Sequence, residues 1–304
     1  MKTFIVTPGQ GILPADVYDK IRDDCLFALN SITANSKEKF IVNPSIWHNL
    51  VKNKKGQLNA QPRVINSADY LTKRIGKSLT ELGWMAGAKE KTINNQRIDG
   101  YLEIDYQGPM FKIPRESFVS FIAFLEKEIP SAIKNGDIRK AFNFYYNFYY
   151  ASSWVDPKYL GIESCNYFKP TNSRPIRIGL EFETGNIASS FRALHKLEGL
   201  FAEGLIDFGV FITSIDRANT SGKIWPLSNR NGSFEELKNR KYSENYLLPR
   251  LDIGFSPDAY SEKAKYLSHD GSLFDLEKTN STVKIQETTF QKFVFNSIEY
   301  WKPT

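Results

Sequence analysis

The chain has 304 residues, of which 41% are hydrophobic and 24% charged, so its composition supports a buried core and excludes a disordered protein. Two cysteines are too few for a disulfide scaffold or a cysteine-rich zinc site. The net charge of +6 permits a polyanionic partner, and residues 51–97 hold ten basic against three acidic side chains. Because the sequence has neither a signal-peptide pattern nor an apolar run of membrane-spanning length, we expect a cytoplasmic protein.

The first 96 residues are predicted to form a mostly helical extension. Apolar residues at helical spacing predict one helix over 16–30 and another over 72–85. Residues 51–63 are polar, basic and interrupted by Gly and Pro, which indicates a loop.

Residues 97–304 are predicted to form an α/β core. An alternating segment and a Gln-Gly-Pro turn predict a hairpin over 97–113. One-sided apolar spacing predicts helices over 114–129 and 137–150. The second of these carries seven aromatic residues, which indicate packing in a core or against another subunit.

From residue 174 onward the pattern is that of a β-α-β unit. Strict alternation over 174–183 predicts a strand with apolar residues on one face and Glu181 and Glu183 on the other. A helix over 187–203, with Phe191 in its buried stripe, and an apolar strand over 206–213 are expected to complete a parallel unit. The remaining predicted elements are a short helix over 233–238, a strand over 251–255 and a helix over 288–301.

Glu181 and Glu183 are the sharpest chemical feature of the sequence. A third acid from a neighbouring strand would complete a set of oxygen ligands for a hard divalent ion such as Mg²⁺. Clustered carboxylates repel one another without a metal ion and raise each other's pKa. Alternating Glu residues that simply face solvent are the other interpretation of this spacing.

The residues around this pair resemble a known family. The run Glu181-Phe-Glu-Thr-Gly-Asn-Ile187, with Arg177–Leu180 before it and Gly204–Ile212 after it, resembles the catalytic core of restriction endonucleases. The similarity is to the BamHI-type branch of the PD-(D/E)XK nuclease superfamily, and the BglII-type relatives are more distant. Asn229-Arg230 and the following Ser233-Phe-Glu-Glu-Leu237 resemble the family's base-reading loop and next helix. The resemblance is weak over the first hundred residues.

The resemblance implies a fold, an activity and partners. The fold would be a restriction-endonuclease-like α/β core with a mixed sheet of about five strands flanked by helices. The activity would be that of a Type II restriction endonuclease, which hydrolyses double-stranded DNA with Mg²⁺ at a short palindromic site. A homodimer would cut both strands, and a cognate DNA methyltransferase would belong to the same system.

The resemblance also assigns roles around the carboxylate pair. Glu181 and the backbone carbonyl of Phe182 would bind the metal ion, and Glu183 would position or deprotonate the attacking water. The family has a further acid in an Ile-Asp step before the pair, and Ile162-Glu163, eighteen residues before Glu181, takes that place here. We favour Glu163 as this metal ligand. Asp99 is the alternative, because Ile98-Asp99-Gly100-Tyr101 resembles the family's tetrapeptide more closely but requires a long insertion.

Five residues are implied to contact DNA. Four of them match positions that face the major groove in the family, and Lys196 is expected at a phosphate or in a salt bridge. Arg donates two hydrogen bonds to guanine, while Asn both donates and accepts. Under this hypothesis the basic stretch 51–97 is an added arm that grips phosphates. The four groove-facing residues are Asn186, Arg192, Asn229 and Arg230.

Three other functions stay open at this point. A structure-specific or repair nuclease on the same core would cut branched or damaged DNA. A catalytically inert DNA-binding protein would keep the fold without cleavage, although Glu181 and Glu183 are both present. An interaction module is the third, and the aromatic segment 137–150 is its only support.

Overall fold

The predicted catalytic segment lies in a six-stranded mixed sheet. The computed structural model describes residues 1–6, 13–63, 65–107, 111–112, 169–170, 174–184, 187–215, 234 and 248–304. Within these ranges the helices are α1 (Ala15–Asn30), α2 (Asp69–Glu81), α3 (Ile187–Ala202) and a short 3₁₀ helix (Gly87–Lys89). The strands are β1 (Lys2–Val6), β2 (Ile41–Val42), β3 (Trp47–Lys52), β4 (Leu58–Arg63), β5 (Met85–Ala86), β6 (Thr92–Ile93), β7 (Gln96–Arg97), β8 (Gly100–Ile104), β9 (Phe111–Lys112), β10 (Lys169–Pro170), β11 (Ile176–Glu183), β12 (Phe208–Ser214), β13 (Arg250–Ser256), β14 (Ala259–Tyr260), β15 (Tyr266–Leu267), β16 (Leu273–Phe274), β17 (Glu277–Ile285), β18 (Thr288–Phe295) and β19 (Ile298–Pro303).

The main sheet has the strand order β1-β13-β12-β11-β8-β5. Its three central strands β11, β12 and β13 run parallel, and the outer strands pair antiparallel. This arrangement confirms the predicted α/β class and the three strands predicted after residue 174. The sheet has six strands where about five were expected. Its two edge strands, β1 and β5, were not predicted from the sequence. Strands from both sides of residue 96, the predicted domain boundary, share this sheet.

Helices cover the main sheet on both faces. Alternate strand residues point to opposite faces, so each strand supplies two cores. On one face Ile178, Leu180 and Ile253 pack with α1 and α2. On the other face Tyr101 packs with Leu197 and the neighbouring apolar residues of α3. Full burial of each such Leu or Ile stabilises the fold by about 1.5–3 kcal/mol relative to exposure.

The helix that follows the carboxylate pair confirms its prediction with one correction. It ends before Gly204, whose φ of +68° is the left-handed conformation that terminates helices. Its buried stripe runs through Ala193, Leu197 and Leu200. Phe191, predicted to be buried, is 46% exposed because it projects beyond the edge of this stripe.

A second sheet of order β17-β18-β19-β3-β4 corrects two further predictions. Residues 51–63 form most of the β3–β4 hairpin instead of a loop. Residues 288–301 form β18 and most of β19 instead of a helix, because their aromatic side chains pack across strands. The Trp47 ring meets that of Phe293 edge to face, with the ring centroids 4.8 Å apart, and Trp47 and Tyr300 are buried together.

The hairpin predicted over 97–113 is wrong. β8 pairs with β11 and β5, and β9 pairs with β10, which is more than fifty residues away along the chain. The predicted helices over 114–129 and 137–150, and all of 233–238 except Phe234, lie outside the described residues. Among the described helices, none combines the length and apolar character that crossing a membrane requires.

Candidate active site

The carboxylate pair lies at the carboxyl end of β11. Ile178, Leu180 and Phe182 fill the core beneath α1 and α2, so Glu181 and Glu183 point to the opposite face, towards α3. Glu181 is only 4% exposed, and Glu183, the last residue of the strand, is half-buried. The prediction that both acids share one strand face is confirmed, but the pair does not lie open to solvent.

The antiparallel pairing of β8 with β11 brings Asp99 into this site. Gly100 lies opposite Leu180, and Asp99 is the residue just before Gly100. The backbone N–H of Phe182 donates a hydrogen bond of 2.8 Å to Asp99 Oδ2. The acid that the sequence offered as the alternative metal ligand therefore contacts the peptide between Glu181 and Glu183.

Lys196 of α3 supplies a positive charge to the same place. Its Nζ lies 2.6 Å from Glu181 Oε1 and donates a hydrogen bond of 2.8 Å to the backbone carbonyl of Arg97. Within the described residues, the buried Oε1 of Glu181 has a charged neighbour in Lys196 but no hydrogen bond of normal geometry. One lysine thus bridges the strand that carries Glu181 and the segment that carries Asp99.

The burial of the two acids disfavours their charged forms. Burial, and to a smaller extent the charge of Asp99, raise the pKa of Glu181 to about 8, while Lys196 acts in the opposite direction. Burial also raises the pKa of Asp99, against the effect of the Phe182 N–H. A cation bound beside these two carboxyl groups would lower the electrostatic free energy of their charged forms.

The donor chemistry fits a hard divalent ion, although the described residues form no complete cage. In the described ranges, no group of three or more His, Cys, Asp or Glu side chains is arranged so that it could hold a metal ion. Carboxylate and backbone carbonyl oxygens are the ligands that Mg²⁺ prefers, and it usually keeps several waters. Asp99 and Glu181 supply two such carboxylates at adjacent points of the sheet.

The family model described as "Restriction endonuclease BamHI" matches residues 1–249, which is most of the chain. The chain belongs to the BamHI restriction endonuclease family. The Type II restriction enzyme BamHI of Bacillus amyloliquefaciens is 36% identical to it over 91 residues, which are 30% of this chain. That alignment spans 39% of the relative's length. The match to the BamHI family includes the first hundred residues, where the sequence motifs show little resemblance, and ends just before β13.

The structure describes only some of the other site residues predicted for this BamHI-family chain. Arg192 is exposed on α3, where its guanidinium donates a hydrogen bond of 3.1 Å to Ser189 Oγ. The DNA-binding roles of Arg192 and Lys196 stay predictions. Four more predicted residues lie outside the described part of the chain, and these are Glu163, Asn186, Asn229 and Arg230.

Sequence reasoning specified two features of the site of this BamHI-family chain only in part. It ranked Asp99 behind Glu163 because Asp99 is far from Glu181 along the chain, although Ile98-Asp99-Gly100-Tyr101 carried a usable signal. It also expected Lys196 at a phosphate or in an unspecified salt bridge. The position of Lys196, with Nζ at Glu181, follows from the packing of α3, and the residue spacing gives no signal for it.

Proposed function

We propose that this chain is a Type II restriction endonuclease that hydrolyses double-stranded DNA at a short palindromic sequence with the help of Mg²⁺. The observation that carries the proposal is the contact of Asp99 with the peptide between Glu181 and Glu183, beside Lys196 of α3. Membership of the BamHI family and the 36% identity to a Type II restriction enzyme support the same activity.

The proposed metal ligands are Asp99, Glu181 and the carbonyl of Phe182. The N–H of Phe182 points to Asp99, and the N–H and C=O of one strand residue face the same neighbouring strand, which supports the carbonyl as a ligand. When bound, Mg²⁺ supplies charge neutralisation at the phosphate and lowers the pKa of a coordinated water. Glu163, which we favoured from the sequence, remains a candidate for the position we now assign to Asp99.

The remaining roles belong to side chains at the same end of the sheet. Glu183 positions the attacking water or accepts its proton, as its half-buried position beside Glu181 allows. Hydrolysis then leaves a 5′-phosphate and a 3′-hydroxyl. Base reading is assigned to four residues with the donor and acceptor groups that major-groove edges require. These are Asn186, Arg192, Asn229 and Arg230.

We further propose that the enzyme acts as a homodimer in the cytoplasm. A palindromic site calls for a two-fold symmetric protein in which each subunit cuts one strand. A DNA methyltransferase that modifies the same sequence is expected as a separate chain of the system.

Digestion of unmethylated phage DNA with Mg²⁺ tests the proposed function. We expect discrete bands that disappear with EDTA and in a Glu181→Ala variant. A smear would favour a nuclease without sequence preference, discrete cuts only at branched DNA would favour a structure-specific nuclease, and binding without cutting would favour an inert DNA-binding protein.

Two matched variants separate the candidates for the first acid. We expect Asp99→Asn to lower the cleavage rate by at least about 100-fold, because it removes a charged oxygen ligand. Glu163→Gln, the control of equal charge change, is expected to retain most of the rate. The reverse result would return the metal-ligand role to Glu163. Binding of the uncut substrate duplex, measured in EDTA, checks that both variants are folded.

A further inference from the structure

Lys196 holds two parts of the candidate active site at once. Its ammonium lies 2.6 Å from Glu181 Oε1 and 2.8 Å from the carbonyl oxygen of Arg97, two residues before Asp99. One positive charge therefore lies among three acids, Asp99, Glu181 and Glu183. The ion pair with the carboxylate and the hydrogen bond to the carbonyl oxygen hold both groups in position.

The backbone of α3 is fixed in this region, whereas the lysine side chain is long and flexible. Leu197, the next residue, is fully buried, and the helix approaches β11 so closely that a Cβ on Gly179 would lie 3.1 Å from Leu197. The Lys196 side chain is 26% exposed, against 6% for Glu181, and it reaches the site from the solvent side of the helix. The ammonium can therefore leave Glu181 by side-chain rotation without movement of the helix.

We propose that Lys196 is a positioning residue that occupies the place of a cation. It neutralises Glu181 and holds the Asp99 segment in place until a divalent ion binds, and binding of that ion displaces Nζ from Glu181. This inference rests on the proposed function, because it takes the carboxylates as ligands of a metal ion.

Competition between the ammonium and the metal ion predicts the direction in which removal of Lys196 changes the cation affinity. A cation that must displace Lys196 binds more weakly than one that meets a free carboxylate, so removal of the lysine strengthens cation binding. The same removal leaves a buried acid without its counter-charge and lowers the stability of the metal-free protein. If Lys196 had a purely structural role, its removal would lower the stability of the protein equally with and without the cation.

The test measures Ca²⁺ binding, since Ca²⁺ takes the same oxygen ligands as Mg²⁺. Full-length wild type and Lys196→Met are titrated with Ca²⁺ by calorimetry, and their melting temperatures are measured in EDTA and in Ca²⁺. We expect Lys196→Met to melt at a lower temperature than wild type in EDTA and to bind Ca²⁺ about tenfold more tightly. Ca²⁺ should therefore raise the melting temperature of the variant by more than that of wild type. Lys196→Arg keeps the charge and is expected to restore the wild-type Ca²⁺ response.

Lys20→Met is the matched control. Lys20 forms an ion pair of 2.9 Å with the mostly buried Asp24 on α1, on the other side of the main sheet. Its removal is expected to leave the Ca²⁺ affinity unchanged.

Unchanged or weaker Ca²⁺ binding by Lys196→Met, or the absence of Ca²⁺ binding in every variant, would overturn the proposal. DNA cleavage by the wild type is recorded separately. Cleavage without the predicted change in Ca²⁺ affinity removes only the role of Lys196, whereas tighter Ca²⁺ binding without any cleavage removes only the nuclease function.

Discussion

The buried Glu181 and the half-buried Asp99 are held by different groups. Asp99 accepts a hydrogen bond from the backbone N–H of Phe182, which is a permanent part of the sheet. Glu181 depends on the side chain of Lys196, which is able to rotate away. The charge on Asp99 is therefore stabilised by the fold itself, whereas the charge on Glu181 requires a movable cation.

Glu181 should make the stability of the metal-free protein depend on pH. Its pKa is raised from 4.5 to about 8 on folding, so the folded protein keeps a proton that the unfolded chain releases between these two values. The contribution of Glu181 to stability is therefore complete below pH 4.5 and is lost as the pH rises through about 8.

Urea unfolding in EDTA at pH 5 and pH 8.5 measures this contribution. We expect the free energy of unfolding of the wild type to fall more between these two pH values than that of Glu181→Gln, which keeps the shape but does not titrate. Equal decreases in the two proteins would contradict the raised pKa.

At the scale of elements, close backbone contacts fix how helices meet their neighbours. A Cβ on Gly76 of α2 would lie 2.7 Å from the Cα of Gly87, at the start of the 3₁₀ helix that follows β5. Because that neighbour is backbone, it has no rotamer with which to move aside. This contact sets the distance between α2 and the edge of the main sheet.

Two glycine substitutions test this contact. Gly76→Ala is expected to lower the free energy of unfolding by about 1–3 kcal/mol, because the added methyl group forces α2 away from the 3₁₀ helix. Gly199→Ala in α3 is the control: its Cβ meets nothing within 4 Å, so the higher helix propensity of Ala should raise stability by about 0.5–1 kcal/mol. Denaturant unfolding measures both, and a similar gain in stability from the two variants would show that α2 adapts.

At the scale of the whole molecule, the second sheet carries much of the basic character of the chain. The β3–β4 hairpin, with its turn, contains four basic side chains and no acidic one. Three of these side chains, Lys52, Lys54 and Lys55, are exposed at its tip. Such a tip is suited to contact the phosphates of a DNA duplex.

A triple variant tests whether this tip contacts DNA. Replacing Lys52, Lys54 and Lys55 by Gln should weaken duplex binding and reduce the slope of log affinity against log salt by about 0.9 for each phosphate that the tip no longer neutralises. Fluorescence anisotropy in EDTA measures both quantities. The control removes three exposed lysines on β1 and α2, and these are Lys2, Lys73 and Lys77. Equal effects of the two triple variants would assign the change to net charge alone.

The elements that the sequence predicted well are those whose signals are local. Residues 176–183 alternate strictly because β11 separates two cores, and this alternation alone placed Glu181 and Glu183 on one face. Helical spacing likewise identified α1 and α3. The same rule failed over 288–301, where aromatic spacing fits a helix but cross-strand packing on Trp47 decides for strands.

Patterns of near neighbours in the sequence were sufficient to specify the α/β class, the paired carboxylates and the helix that follows them, since alternation and helical spacing act over short distances along the chain. Folding was needed to bring Asp99 to Phe182 and Lys196 to Glu181. The first contact depends on the pairing of β8 with β11 across more than seventy residues, and the second on the packing of α3 at Gly179. No pattern of neighbouring residues specifies such contacts, because they follow from the closure of long loops and the fit of buried surfaces.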